Sequence, residues 1–127
     1  MTAGRKRVLI VDDAALVRAY YRQALERAGY EVEEALNGLE GLEKTLLQPF
    51  DLAIVDVNMP QMDGMTFIRT LRSKQLPTAA LVTLVTSTEA REQDVAAARG
   101  AGANFYLTKP VSQDSLIEHV VLLCGAA

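Results

Sequence analysis

The sequence predicts an α/β domain built on a five-stranded parallel sheet, and three observations carry that reading. Apolar runs of strand length alternate with helical patterns along the whole chain. The runs VLIV (8–11) and LAIV (52–55) are unbroken, as in strands covered on both faces. The connections are short, and strict alternation over short connections implies parallel pairing through right-handed crossovers.

The elements follow in order. Residues 7–12 (RVLIVD) read as a buried strand. Residues 14–28 turn helical, with Leu16, Tyr20, Ala24 and Leu25 on one stripe and Gly29 as the stop. Residues 30–35 (YEVEEA) alternate, as in a more exposed strand. Asn37-Gly38 supplies a turn and a cap, and Leu39, Leu42 and Leu46 repeat at helical spacing until Pro49. Residues 51–56 (DLAIVD) form the third strand, and 57–64 (VNMPQMDG) a loop punctuated by Pro60 and Gly64. Helix 65–73 leads to strand 80–86. A helix is predicted over 88–99 with Thr88 as its cap, ended by Gly100 and Gly102. Strand 104–108, Lys109-Pro110 and a final apolar helix at 112–124 complete the pattern.

The 127 residues fit one domain spanning 1–127, with a core of about 6–124. The net charge of −3 argues against the basic face that a nucleic-acid binder needs. The single cysteine, Cys124, allows no internal disulfide and fits a reducing compartment. The basic start MTAGRKR is followed by only four apolar residues before Asp12, too few for a signal peptide. No stretch approaches the ~20 apolar residues of a membrane helix. A cytoplasmic protein is expected.

Functional groups of an open parallel sheet gather beyond the carboxyl ends of its strands. Those ends supply Asp12 and Asp13, Asp56, Thr86 and Ser87, and Thr108 and Lys109. Three carboxylates at one rim repel one another unless a cation joins them. Oxygen ligands without histidine or cysteine favour a hard ion such as Mg²⁺. Lys109 adds a further positive charge, useful if an anion such as a phosphoryl group arrives. An aspartate at a strand end can also serve merely as a helix cap, and Asp12 or Asp13 could do so for the helix at Ala14. The three aspartates taken together with Thr86 and Lys109 at neighbouring strand ends argue against that reading.

VLIVDD, DLAIVDVNMPQMDG, LVTS and GAGANFYLTKP, in this order and spacing, resemble the receiver domain of bacterial two-component response regulators, of the stand-alone CheY type. The resemblance covers residues 6–124. It implies a flavodoxin-like, doubly wound sheet of order 2-1-3-4-5. It also implies roles: Asp56 as phosphoacceptor, Asp12, Asp13, Asp56 and the Asn58 carbonyl as Mg²⁺ ligands, and Lys109 as partner of the phosphoryl oxygens. Lys109-Pro110 would be a cis peptide, inexpensive before proline. A hydroxyl on the fourth strand would bond the phosphoryl group, and Tyr106 would be the aromatic that moves with it. Such a domain is not an enzyme with its own substrate, although it assists its own phosphorylation and dephosphorylation. Its partners would be a histidine kinase or phosphotransfer protein and a downstream protein target. Neither nucleic acid nor membrane is implied, and a monomer is expected.

Two positions compete for the hydroxyl. Thr86 follows Asp56 by 30 residues, which is family spacing, but precedes Lys109 by 23, one more than usual. Counted back from Lys109 the hydroxyl is Ser87, with Glu89 opposite Asn58. The preceding Leu84-Val85 favours Thr86.

His119, the only histidine, reads as a surface or packing residue, and Cys124, Met59 and Met62 as packing residues. A flavin-binding domain on the same fold would need a glycine-rich phosphate loop where this chain has DDAALVR. A metal-dependent hydrolase would need a cap domain. A receiver-like scaffold that works without phosphorylation would be expected to lose an acid or the lysine.

Overall fold

The computed structural model describes residues 5–57, 59, 62–73 and 77–127. Among these, β1 (Arg7–Val11), α1 (Ala15–Arg27), β2 (Glu31–Ala35), α2 (Gly38–Leu47), β3 (Leu52–Asp56), α3 (Gly64–Ser73), β4 (Val82–Ser87), α4 (Glu92–Ala101), β5 (Phe105–Thr108) and α5 (Gln113–Cys124) alternate, with a 3₁₀ turn at Pro77–Ala80. All strand pairs are parallel, in the order β2-β1-β3-β4-β5. This is the flavodoxin-like order that the resemblance implied. The Lys109-Pro110 peptide is cis.

Successive side chains along a strand point to opposite layers. Leu9, Val11, Ala53, Val55 and Val85 pack with Leu42, Phe67, Ile68, Leu71 and Ala98, beneath α2, α3 and α4. Val8, Ile10, Leu52, Ile54 and Leu84 pack with Tyr21, Leu25, Leu116 and Val120, beneath α1 and α5. β3 is central and every one of its residues is buried. β2 is an edge strand, so Glu31, Glu33 and Glu34 keep solvent contact. Burying each large apolar side chain in these layers is worth about 1.5–3 kcal/mol.

The helices differ from their sequence-based phases in instructive ways. The predicted α1 stripe holds at Ala24 and Leu25 but not in the first half of the helix. Leu16 is 86% exposed and Tyr20 half exposed, whereas Tyr21 is only 3% exposed and Arg18, Ala24 and Leu25 are buried with it. Apolar spacing could not choose between Tyr20 and Tyr21, and a buried arginine runs against the pattern. On α2, Leu39 and Leu46 are exposed, while Gly38, Gly41, Leu42 and Thr45 face inward. The small face packs because Gly41 lies so close to Phe67 and Val11 that a Cβ would approach them to 3.0 and 3.2 Å.

Asn37 caps α2 through its Oδ1, which accepts from Glu40 N at 2.8 Å, while Leu36 N donates back to Glu40 Oε1 at 2.9 Å. Ser112 caps α5, its Oγ accepting from Ser115 N at 3.1 Å. Thr88 does not cap α4, which starts at Glu92 after Arg91. The loop between is tied back onto the sheet, and Gly100 lies inside the helix.

Candidate functional site

β1, β3, β4 and β5 end at one rim, and their last residues converge there. One carboxylate oxygen each from Asp12, Asp13 and Asp56 lies within 4.8 Å of the others. Asp12 and Asp56 are buried, 1% and 8% exposed, while Asp13 faces solvent. Lys109 Nζ donates to Asp56 Oδ1 at 2.9 Å and to Asp12 Oδ2 at 3.3 Å. Burial pushes the Asp56 carboxyl up from its ordinary range; the Lys109 hydrogen bond opposes this, and the Asp12 and Asp13 charges add to it. For Lys109 burial acts downward, but the neighbouring carboxylates outweigh it and hold the ammonium above its usual value.

The backbone around Asp12 is pinned on every side. Its N–H donates to Ala35 O at 3.1 Å, its Oδ1 accepts from Ala14 N at 2.9 Å, and its carbonyl accepts from Arg18 Nη1 at 2.7 Å. Asp12 is therefore not the helix cap; Ala14 occupies that position without a side-chain bond. Arg18 Nε also binds Glu34 Oε1 at 2.8 Å, and Arg22 Nη1 holds Glu34 Oε2 at 2.7 Å. Burial alone would raise the Glu34 carboxyl, but the two guanidiniums bring it below its ordinary value. Arg18 was not visible as a site residue in the sequence, since an arginine one turn into a helix reads as exposed.

Asp56 is set by its flanks. Val57 N donates to Thr86 O at 3.2 Å, and Gly64 N to Val57 O at 3.0 Å. A Cβ at Gly64 would collide with the Asp56 carbonyl, so the first turn of α3 rests directly on the backbone behind the carboxylate. Gly64→Ala should therefore cost roughly 1–3 kcal/mol and weaken any cation binding at the rim. Chemical denaturation with and without Mg²⁺ checks both. A substitution neutral in both would show that the contact is dispensable.

The two hydroxyls of β4 face different layers. Thr86 pairs in register with Asp56 and Leu107 and points to the α1/α5 side, two residues after Leu84. Ser87 points to the α3/α4 side, two residues after Val85. Ser87 Oγ accepts from Glu89 N at 3.0 Å, and its carbonyl from Lys109 N at 2.7 Å. The Tyr106 hydroxyl donates to Glu89 O at 2.6 Å, so Ser87 and Tyr106 grip the same loop residue. The Thr86 hydroxyl meets no group at hydrogen-bonding distance and angle, although the buried Tyr21 phenol lies close enough to feel it. An orphaned buried hydroxyl costs about 1–3 kcal/mol. Tyr21 was also missed by the sequence reading, which placed Tyr20 inward.

The structure thus brings Asp12, Asp13, Asp56 and Lys109 together, with Thr86, Ser87 and Tyr106 around them. Asn58 lies outside the described residues. His119 sits apart, with its ring 5.1 Å from Phe105 and its Nδ1 2.7 Å from Ser115 O. Cys124 packs at the edge of the α1/α5 core, where burial raises its thiol. Met59 and Met62 pack against the opposite core. The donor set, carboxylate oxygens within reach of one another and no histidine or cysteine among them, fits a hard divalent cation. Among the described residues no helix is long and apolar enough to cross a membrane.

A sequence profile of the response regulator receiver domain matches residues 8–121. The chain is 41% identical over 105 residues to a protein-glutamate methylesterase/protein-glutamine glutaminase of Archaeoglobus fulgidus, covering 82% of this chain and 30% of that protein. It is 36% identical over 113 residues to the sensor protein EvgS of Escherichia coli, covering 89% of this chain and 9% of that protein. This chain therefore spans less than a third of either curated relative. Among solved structures, chemotaxis response regulator CheY4 of Vibrio cholerae superposes with a TM-score of 0.88 at 34% identity, covering 94% of this chain and 98% of that one. A CheY-like receiver domain protein of Methanospirillum hungatei gives 0.84 at 32% identity, with 92% and 91% covered. With the sheet order, the acidic rim and these matches in agreement, the chain belongs to the response regulator receiver domain family, a signalling domain of two-component systems.

Proposed function

We propose that this receiver accepts a phosphoryl group on Asp56 from a phosphohistidine of a histidine kinase or phosphotransfer protein, and passes the signal on by protein contact or phosphorelay. The observation that carries this is the bond from Lys109 Nζ to Asp56 Oδ1 at 2.9 Å inside a triad of carboxylates. In the transfer, an Asp56 oxygen bonds to phosphorus as the phosphorus–nitrogen bond of the donor breaks; water later cleaves the acyl phosphate and restores the carboxylate. A Mg²⁺ ion held by Asp12, Asp13, Asp56 and the Asn58 carbonyl would neutralise the charge that builds up on the phosphoryl oxygens. Asp12 is suited to orient that ion because Ala14 and Arg18 already fix its carboxylate and carbonyl. Lys109, bonded to both carboxylates, is placed to follow the transferred group. Positioning and charge neutralisation account for the catalysis.

The switch hydroxyl in this reading is Ser87 rather than Thr86. Ser87 shares its face of the sheet with Tyr106, and both hold Glu89. Drawing Ser87 Oγ onto a phosphoryl oxygen would release Glu89 N and move the loop that Tyr106 grips, a local charge event read out by a two-state segment. The domain would work in the cytoplasm as a monomer.

The test is incubation with Mg²⁺ and acetyl phosphate, read by intact mass. One added phosphoryl group is expected, dependent on Mg²⁺. A chain that bound Mg²⁺ yet took up no phosphate from either acetyl phosphate or a phosphohistidine donor would be a scaffold and not a phosphoacceptor.

A further inference from the structure

The reading above leaves Thr86 and Tyr21 without a task, and the fold has gone to some cost to place them. Thr86 stands opposite Asp56 in the β3–β4 register, fully buried at 0% exposure. Among the described residues its Oγ1 is the buried side-chain polar atom with no hydrogen-bond partner. Valine has the same shape and would fill this position without an orphaned hydroxyl. Tyr21 reaches over it from α1, also buried, and lines one groove with Lys109, Pro110 and Val111. Burial is the main influence on its phenol; the Lys109 charge comes next, followed by Asp12.

Lys109 has three N–H donors. Two of them go to Asp56 and Asp12. Both of those carboxylates have other work once a cation and a phosphoryl group are bound, and the ammonium must then be held from another side. The α1/α5 side offers the buried Thr86 hydroxyl with the Tyr21 phenol beside it.

We propose that Thr86 and Tyr21 form a positioning pair for Lys109, a hydroxyl shelf that takes the third N–H of the ammonium while its other donors follow the phosphoryl group. One oxygen accepts from Nζ and the neighbouring hydroxyl donates to that same oxygen. The pair is idle in the unphosphorylated protein, which explains a buried hydroxyl with nothing to bind. It rests on the phosphoacceptor reading and adds two residues that act through Lys109 without touching the transferred group.

The test compares Thr86→Val, Thr86→Ser, Tyr21→Phe and the Val/Phe double variant with the parent chain. Thr86→Val should melt higher than the parent, because the orphaned hydroxyl is gone. It should nevertheless take up phosphate from saturating acetyl phosphate about tenfold more slowly, with its Mg²⁺-induced thermal shift unchanged. Thr86→Ser should restore the rate. Tyr21→Phe should slow uptake to a similar degree, and the double variant should be no slower than either single one. A purely structural role would not couple a higher melting temperature to a slower rate. Parental uptake by either Thr86→Val or Tyr21→Phe, or fully additive losses in the double variant, would overturn the pairing. A parent chain that takes up no phosphate would instead remove the reading beneath it.

Discussion

Asp56→Asn should abolish covalent phosphorylation and yet make the metal-free protein more stable at neutral pH. The carboxylate is buried beside Asp12 and Asp13, and its pKa lies above the ordinary range despite the bond from Lys109. A raised folded-state pKa means that the native chain binds this proton more tightly than the unfolded chain does. Stability linked to this group is therefore fully present below the unfolded value of about 4 and is lost as pH rises through the higher folded value. The penalty grows as the buried carboxyl loses its proton, and asparagine removes it while keeping the shape. The advantage of the variant should shrink as the pH is lowered toward 4. Mg²⁺ should reverse the order. The parent gains RT ln(1 + [Mg²⁺]/Kd), about 2.7 kcal/mol at a hundredfold excess over Kd, and the variant, short of one ligand, gains less. Thermal melts across pH, with and without Mg²⁺, would decide the matter. Equal stabilisation of both chains by Mg²⁺, or a variant less stable without it, would contradict this account of the rim.

Arg72→Ala should be strongly destabilising although it lies away from the rim, costing about 3 kcal/mol or more. The guanidinium stands at the end of α3 and serves three segments at once. Nε and Nη2 donate to Gly102 O at 3.0 and 2.8 Å. Nη1 donates to Ala79 O at 3.0 Å and Leu81 O at 2.7 Å. Nη2 also reaches Thr83 Oγ1 at 3.2 Å and Asn104 Oδ1 at 2.9 Å. Its acceptors are all neutral, and burial brings its pKa below the ordinary arginine value. Removing it would leave several carbonyls at the starts of β4 and β5 unsatisfied. Arg72→Lys should recover little, because a single ammonium cannot span acceptors spread over a planar fork. Urea titration should show a lower midpoint with an unchanged slope. A lysine variant as stable as the parent would mean that charge alone, and not the fork, holds these segments.

The contrast between these two residues shows where the sequence stops being informative. Asp56 announces itself: an acid that ends an unbroken apolar strand has no local reason to be there. Arg72 does not, because a basic residue in the last turn of a helix is ordinary, and its acceptors lie up to 32 residues further along the chain. Arg18 and Tyr21 were hidden for a similar reason. Helical periodicity gives the width of a buried stripe but fixes its phase only loosely, and on α1 the neighbours that settled the phase were Asp12 and Glu34.

The amino-acid sequence by itself determined the alternation of elements, the parallel sheet and the four groups Asp12, Asp13, Asp56 and Lys109, because burial on both faces leaves continuous apolar runs whose ends are conspicuous. Tertiary structure alone decided how the hydroxyls of β4 divide between layers. Along a strand a shift of one residue sends a side chain to the opposite face. Counting forward from Asp56 gave Thr86, counting back from Lys109 gave Ser87, and only the preceding Leu84-Val85 tipped the sequence reading toward Thr86. Only the β3–β4–β5 register, with Asp56 against Thr86 and Ser87 against Thr108, put one beneath Tyr21 and the other beside Tyr106.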